Sequence, residues 1–160
     1  MTATTDREAA PVNGSLAVYP GTFDPFTAGH HDLVARARVM FDRIIVLLAV
    51  NAAKRPTVEA TARAVQVRDA LPAAWHNVEV DAWTGLTAAY CMRRGATVIL
   101  RCVRTAADLH YEYQLAAMNE QLNIPTVWLP SRPHLAATSS TVARAYRSAQ
   151  LTRPAHSAEE

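Results

Sequence analysis

The sequence predicts one α/β domain: a doubly wound, five-stranded parallel sheet with helices on both faces. Three observations carry this. Strand-like apolar segments alternate with helix-like segments five times along the chain. The crossovers between strands are of helical length, which makes neighbouring strands parallel. The chain has 160 residues, half of them of the apolar class, which suits one domain with a real core.

The elements follow in order. Leu16-Ala17-Val18-Tyr19 is a short buried strand. Leu33, Val34, Ala37, Met40 and Phe41 recur at helical spacing, with Met40 expected in the core. Ile44 to Val50 is a continuous apolar run, as in a strand covered on both faces. An alanine-rich helix is expected over 59–71, and Val78-Glu79-Val80 is a third strand. Leu86 to Arg94 is a helix closed by Gly95. Thr97 to Leu100 is the fourth strand, and Asp108 to Leu122 a long helix with Leu115 and Met118 facing inward. Thr126 to Leu129 is the fifth strand. A last helix spans 139–149, where Ser139, Ser140 or Thr141 can cap it. Residues 1–14 read as a disordered lead-in and 150–160 as a loose tail, leaving 15–149 as the folded domain.

Composition removes several classes of function. The net charge is +2, from 16 Lys and Arg against 14 Asp and Glu, with no basic run, so no nucleic-acid partner is expected. No apolar run approaches the roughly 20 residues of a membrane helix, and the polar N-terminus does not resemble a leader. Two cysteines, Cys91 and Cys102, are too few for a disulfide framework or a zinc cluster, and no protein-held metal is expected. A cytoplasmic protein is the expectation. Cys91 is expected to pack on its helix, His31 to be solvated, and Trp75, Trp83 and Trp128 to pack in the core or at its rim.

In open parallel sheets ligands bind beyond the C-terminal strand ends. The segments expected there are Pro20 to His30, Asn51 to Pro56, Trp83 to Thr87, Arg101 to Arg104, and Pro130 to Arg132 with Thr138 to Thr141. They bring Lys54, Arg101, Arg104 and a cluster of hydroxyls to one rim with Gly21, Gly29 and His30. Forked and mobile cations, small residues and helix N-termini are the inventory of a phosphate site.

Tyr19-Pro20-Gly21-Thr22-Phe23-Asp24-Pro25, followed by Thr27-x-Gly29-His30, resembles the bacterial phosphopantetheine adenylyltransferases, nucleotidyltransferases with an (H/T)xGH motif on a Rossmann-like fold. The likeness continues through Lys54, Arg101-x-x-Arg104 with Asp108, Tyr111 to Ala116, Met118-Asn119, Ser139-Ser140-Thr141 and Arg144. It implies transfer of AMP from ATP to 4′-phosphopantetheine by direct attack, giving dephospho-CoA and pyrophosphate, with Mg2+ accompanying the nucleotide. By that resemblance His30, Lys54 and Arg101 are catalytic. Thr22, Phe23, His30, Cys102, Val103, Arg104, Glu112, Ser139, Ser140 and Thr141 bind nucleotide. Thr22, Lys54, Leu86, Thr87, Arg101 and Asn119 bind the acceptor. A homo-oligomer, hexameric by resemblance, is implied.

The sequence also departs from the family pattern. Cys102 stands where glycine is usual and Ala28 where asparagine is usual. Thr57 to Arg63 replaces the usual opening of the second helix, Asn123-Ile124-Pro125 is a short loop, and Thr138 and Ala145 are further changes. These leave two alternatives open: a relative transferring AMP or CMP to another small phosphate or phosphonate, and a non-catalytic nucleotide sensor.

Overall fold

A computed structural model describes residues 14–50 and 57–136. Five strands alternate with four helices: β1 (Leu16–Gly21), α1 (Ala28–Ala37), β2 (Arg43–Val50), α2 (Thr57–Ala70), β3 (Val78–Thr84), α3 (Thr87–Arg94), β4 (Val98–Val103), α4 (Ala106–Gln121) and β5 (Thr126–Pro130). A single 3-10 turn, Pro133–Leu135, follows. The lead-in to Asn13, the tail and the predicted last helix lie outside the described residues, as do Lys54, Ser139, Ser140 and Thr141.

All strand pairs are parallel, in the order β3-β2-β1-β4-β5. The chain winds outward from β1 to β3, then returns to the other side of β1 for β4 and β5. The winding direction therefore reverses between β1 and β4. There the two strands pair only at Ala17 with Val98 and Val18 with Ile99, whereas β1 and β2 stay paired through Gly21 and Leu48. The sheet is thus parted at its C-terminal edge beside β1, which is where such folds bind ligands.

Alternation along the strands divides the core into two faces. Ala17, Ile44, Val46, Leu48 and Leu100 pack with Leu33, Val34 and Ala37 of α1 and Ala64 and Val67 of α2. Leu16, Val18, Ile45, Leu47 and Ile99 pack with Ala88, Tyr90 and Cys91 of α3. The apolar run of β2 is buried because it is covered from both sides, as its unbroken hydrophobicity predicts. Gly95 closes α3 in the left-handed region, φ 66°, where it costs no Cβ clash, and its N–H reaches back to the carbonyls of Cys91 and Met92.

Some expectations are corrected. α1 ends at Ala37, and the chain turns tightly so that the N–H groups of Met40 and Phe41 both meet the Ala37 carbonyl. Phe41 still packs on the core, but Met40 is exposed. On α4, Met118 is also exposed, and the buried residues are Glu112 and Asn119. β1, β3, β4 and β5 run further than predicted, so Pro20-Gly21, Trp83-Thr84, Arg101-Cys102-Val103 and Pro130 are strand residues. His31 is half-buried, its ring 5.0 Å from that of Trp75, with the Arg38 guanidinium on the same indole.

Candidate active site

The parted strands open into a cleft of about 460 Å3. Its walls bring together Thr22 and Phe23 after β1, Gly29 and His30 of α1, Thr87 of α3, Arg101 and Cys102 of β4, Arg104, and Glu112 of α4. These residues span more than eighty positions of sequence, and the topology alone collects them. A second pocket of about 200 Å3 shares Pro20, Thr87 and Arg101 with the cleft. It is lined further by Gly85, Leu86, Ala88, Ile99, Leu115, Met118, Asn119 and Leu122. Lined chiefly by apolar side chains, it adjoins the polar cleft at Arg101.

The turn after β1 builds the cleft floor. Phe23 has a left-handed backbone, φ 46°, and its ring folds back over Gly21. A Cβ on Gly21 would stand 2.8 Å from the Phe23 ring, so only glycine fits. The Phe23 ring is buried, 5.2 Å from Tyr19 and edge-on to His30 at 5.1 Å. Its side chain is therefore wall, and only its backbone can face a ligand. Arg63 of α2 donates from Nη1 to the Thr22 carbonyl at 2.8 Å and ties this turn to α2.

His30 sits in the first turn of α1, among free N–H groups at the positive end of the helix dipole. The Thr27 backbone N–H donates to His30 Nδ1 at 2.9 Å. In a neutral ring the proton then resides on Nε2, leaving that nitrogen a hydrogen-bond donor. Burial, helped by the nearby positive Arg104, pushes the His30 pKa down to about 4. The imidazole is thus neutral, rotationally fixed and already the donor tautomer.

Two arginines stand across from it. Arg101 is gripped through Nε at 2.7 Å and Nη2 at 2.6 Å by both carboxylate oxygens of buried Glu112. Arg104 precedes the α4 cap. Its N–H and Nε and the Thr105 N–H all donate to Asp108 Oδ2, at 3.2, 3.3 and 3.2 Å. Thr105 Oγ1 accepts the Asp108 N–H in return, completing a capping box. Tyr19 is buried against the cleft, and desolvation raises its pKa so that the hydroxyl stays protonated. Burial also raises the Cys102 pKa, which keeps the thiol in its unreactive form.

Of the residues expected from sequence, the structure gathers Thr22, Phe23, His30, Arg101, Cys102, Arg104, Thr87 and Glu112 around the main cleft. Leu86 and Asn119 line the smaller pocket. Val103 ends β4 beside them but is not part of either wall. Sequence reasoning quoted Thr27 within the motif that opens α1 but gave it no role, although a threonine three residues before a helical side-chain acceptor has the spacing of an N-terminal cap. Nor did it find the clamp of Asp32 on Arg36, at 2.9 Å, and on Arg132, at 3.0 Å. Arg36 also donates to the Pro130 carbonyl at 2.9 Å, so this clamp fixes the turn after β5 against α1. Ser131 and Leu135 of that turn reach the cleft.

Comparison with known proteins agrees with this fold. The sequence profile described as cytidylyltransferase-like matches residues 18–145. A phosphopantetheine adenylyltransferase of Nitratidesulfovibrio vulgaris is 42% identical over 134 residues, covering 82% of this chain and 72% of the relative. One from Thioalkalivibrio sulfidiphilus is 43% identical over 131 residues, covering 81% of this chain and 82% of the relative. Among solved structures, NadR protein in complex with NAD and AMP-PNP superposes with a TM-score of 0.57 at 14% identity, over 87% of this chain and 44% of that one. A lipopolysaccharide core biosynthesis protein from Thermoplasma volcanium gives 0.52 at 16% identity, over 74% and 97%. The two structures share the fold.

Proposed function

Since the chain belongs to the cytidylyltransferase-like family and, within it, to the phosphopantetheine adenylyltransferases, we propose that its cleft joins ATP to 4′-phosphopantetheine. It is a nucleotidyltransferase, and it transfers AMP to the acceptor phosphate, releasing pyrophosphate and forming dephospho-CoA in coenzyme A biosynthesis. The observation that most favours this reading in the structure is the continuity of a cationic cleft with a more apolar pocket through Arg101. A triphosphate needs the first, and a phosphate on a long neutral arm needs both.

The chemistry asks for positioning and charge stabilisation more than for a base. The second ionisation of a phosphate monoester has a pKa of about 6, so the attacking oxygen is largely ionised near neutrality. It attacks the α-phosphorus in line, and the P–O bond to pyrophosphate breaks. His30, neutral with its proton on Nε2, donates to a nonbridging α-phosphate oxygen as charge builds there. Arg101 and, by resemblance, Lys54 hold the acceptor phosphate. Arg104 holds the β- and γ-phosphates together with Ser139, Ser140 and Thr141. Backbone groups of Thr22 and Phe23 border both substrates, and Leu86, Thr87 and Asn119 line the path of the acceptor arm. Cys102 borders the nucleotide side of the cleft with Val103 next to it.

The nucleotide is taken as its magnesium complex. Among the described residues no three His, Cys, Asp or Glu side chains stand together as a metal site. The one carboxylate described in the cleft wall, Glu112, has both oxygens on Arg101. Such a lining suits a metal carried by phosphate oxygens and water. Homo-oligomeric assembly, hexameric by family resemblance, belongs to the same reading, as does a cytoplasmic setting. Exposed Leu86, Met92, Tyr113 and Met118 favour assembly, and light scattering of the purified chain decides it.

The test is a pyrophosphate-release screen of four nucleoside triphosphates against 4′-phosphopantetheine and a panel of small phosphates and phosphonates. Turnover with ATP and 4′-phosphopantetheine above every other pair is expected. Silence with that pair and activity with another would transfer the reading to a different acceptor or base. Nucleotide binding without turnover of any pair would make the chain a sensor.

A further inference from the structure

Tyr19 is the first residue of β1 beyond its last pair with β4, which joins Val18 to Ile99. It therefore stands where the two strands begin to part. Its side chain lies on the α1 face, packed with Phe23, Leu33 and Leu100, and Cys102 of β4 packs on the same cluster. The ring is 5.2 Å from that of Phe23 and 6.4 Å from that of His30. Tyr19 is only 5% exposed, yet it lines the main cleft.

A phenol held by its ring still has one hydrogen to donate. Among the described residues the Tyr19 hydroxyl has no hydrogen-bond partner. Nor is it sealed: the sealed side-chain polar atom without a partner among those residues is Trp128 Nε1, so the Tyr19 oxygen keeps access to the cleft. Phenylalanine would fill the same space without the cost of desolvating a hydroxyl. A buried donor open toward a cavity is satisfied when a ligand brings the acceptor. The surroundings favour an anion there. Burial pushes the Tyr19 pKa up, so the group remains a donor, and Arg101 and Arg104 are the cations that act on it. Glu112, the acidic side chain acting on it, is paired with Arg101. Arg104 acts on His30 as well, and all three groups border the same cleft. We propose that the Tyr19 hydroxyl donates a hydrogen bond to a nonbridging phosphate oxygen of the bound nucleotide, in the volume it shares with His30 and Arg104. This rests on the functional reading above and adds a nucleotide-binding side chain from inside β1.

The experiment is Tyr19→Phe, which removes one oxygen and leaves the ring in place. ATP binding to the wild-type and variant enzymes is measured by calorimetry, and both KM values by pyrophosphate release. The ATP dissociation constant and the ATP KM are expected to rise about 10-fold, as for loss of one hydrogen bond to a charged oxygen, while the acceptor KM stays within about 2-fold. Inorganic tripolyphosphate, titrated as a competitor of ATP, should weaken by a similar factor, because the contact is to phosphate and not to the nucleoside. The Tm should stay the same or rise, since no internal hydrogen bond is lost. Unchanged ATP affinity, a loss confined to the acceptor KM, weakened ATP with unchanged tripolyphosphate, or a fall in Tm of several degrees would each overturn the proposal. Failure of the functional reading looks different: the wild-type enzyme would not turn over 4′-phosphopantetheine, while calorimetry would still report on the hydroxyl and the triphosphate.

Discussion

Replacing His30 by alanine removes a donor that the structure holds ready for the transferring phosphate. Three constraints make that donor rigid. The Thr27 N–H fixes Nδ1 at 2.9 Å, the Phe23 ring meets the imidazole edge-on at 5.1 Å, and Phe26 lies 5.5 Å away. Nothing needs to reorganise as charge develops, which is the condition under which a single aimed donor contributes about 10²–10³ in kcat. His30→Ala is therefore expected to lose about that factor in pyrophosphate release while ATP affinity, measured by calorimetry, changes by only a few-fold. His30→Gln, which keeps a neutral N–H donor, should recover part of the rate. The pH dependence follows from burial, which lowers the His30 pKa to about 4 against about 6.5 in the unfolded chain. The unfolded state binds the proton first as pH falls, so folding stability declines between those values, by at most about 3 kcal/mol. Above pH 6 the ring is already neutral. Any kinetic inflection near 6 then belongs to the acceptor phosphate and must persist in His30→Gln. Near wild-type turnover of His30→Ala, or an inflection near 6.5 that vanishes in His30→Gln, would refute the reasoning.

Other perturbations are sharply defined. Arg101→Lys removes the fork and should raise the acceptor KM about 10-fold or more in steady-state assays. Gly21→Ala places a Cβ 2.8 Å from the Phe23 ring; displacing that ring should lower stability by about 1–3 kcal/mol in denaturant titrations and reduce turnover by freeing His30. Leu47→Ala, at a fully buried position of β2, should cost about 2–5 kcal/mol with little effect on KM for either substrate. Asp32→Asn unlocks Arg36 and Arg132, and a several-fold rise in the ATP KM at unchanged Tm is its expected signature.

How much of this was legible before folding depended on what each residue faces. The β2 run from Ile44 to Val50 was readable because burial on both faces leaves no polar residue to interrupt it. The same rule hid the C-terminal ends of β1, β3 and β4. There a strand leaves the core and enters the cleft, so residues such as Arg101 belong to the ladder while their chemistry resembles a loop. Helix α4 misled for a related reason. Apolar spacing placed Leu115 and Met118 inward, and both line the smaller cavity beside Asn119, but Leu115 is only half-buried, Met118 stays exposed, and the buried residues of the helix are Glu112 and Asn119. Met40 followed helical spacing into a stretch where the chain had already turned. What identified the site was the block from Tyr19 to His30, dense in residues with one structural task each. What could not be read was which pairing forms: the sequence offers both Asp108 and Glu112 to Arg101 and Arg104, and only the fold sets Glu112 on Arg101 and Asp108 on Arg104.

The fold and the chemistry are connected at one place, the unpaired stretch between β1 and β4. Had those strands stayed paired to their ends, Pro20 would bond to β4 and Arg101 would have no cavity to line. The parting requires that β1 be held from the other side, and its unbroken register with β2 through Gly21 does so. Gly21 in turn admits the Phe23 ring, and that ring steadies His30. A one-residue slip of β1 against β2 would reverse every side chain of β1 and turn Tyr19 away from the cleft. Catalytic geometry in this chain is therefore set by strand register before any active-site side chain is chosen. It follows that variants in the apolar run of β2 which preserve the register should lower stability and leave the ratio of the two KM values untouched.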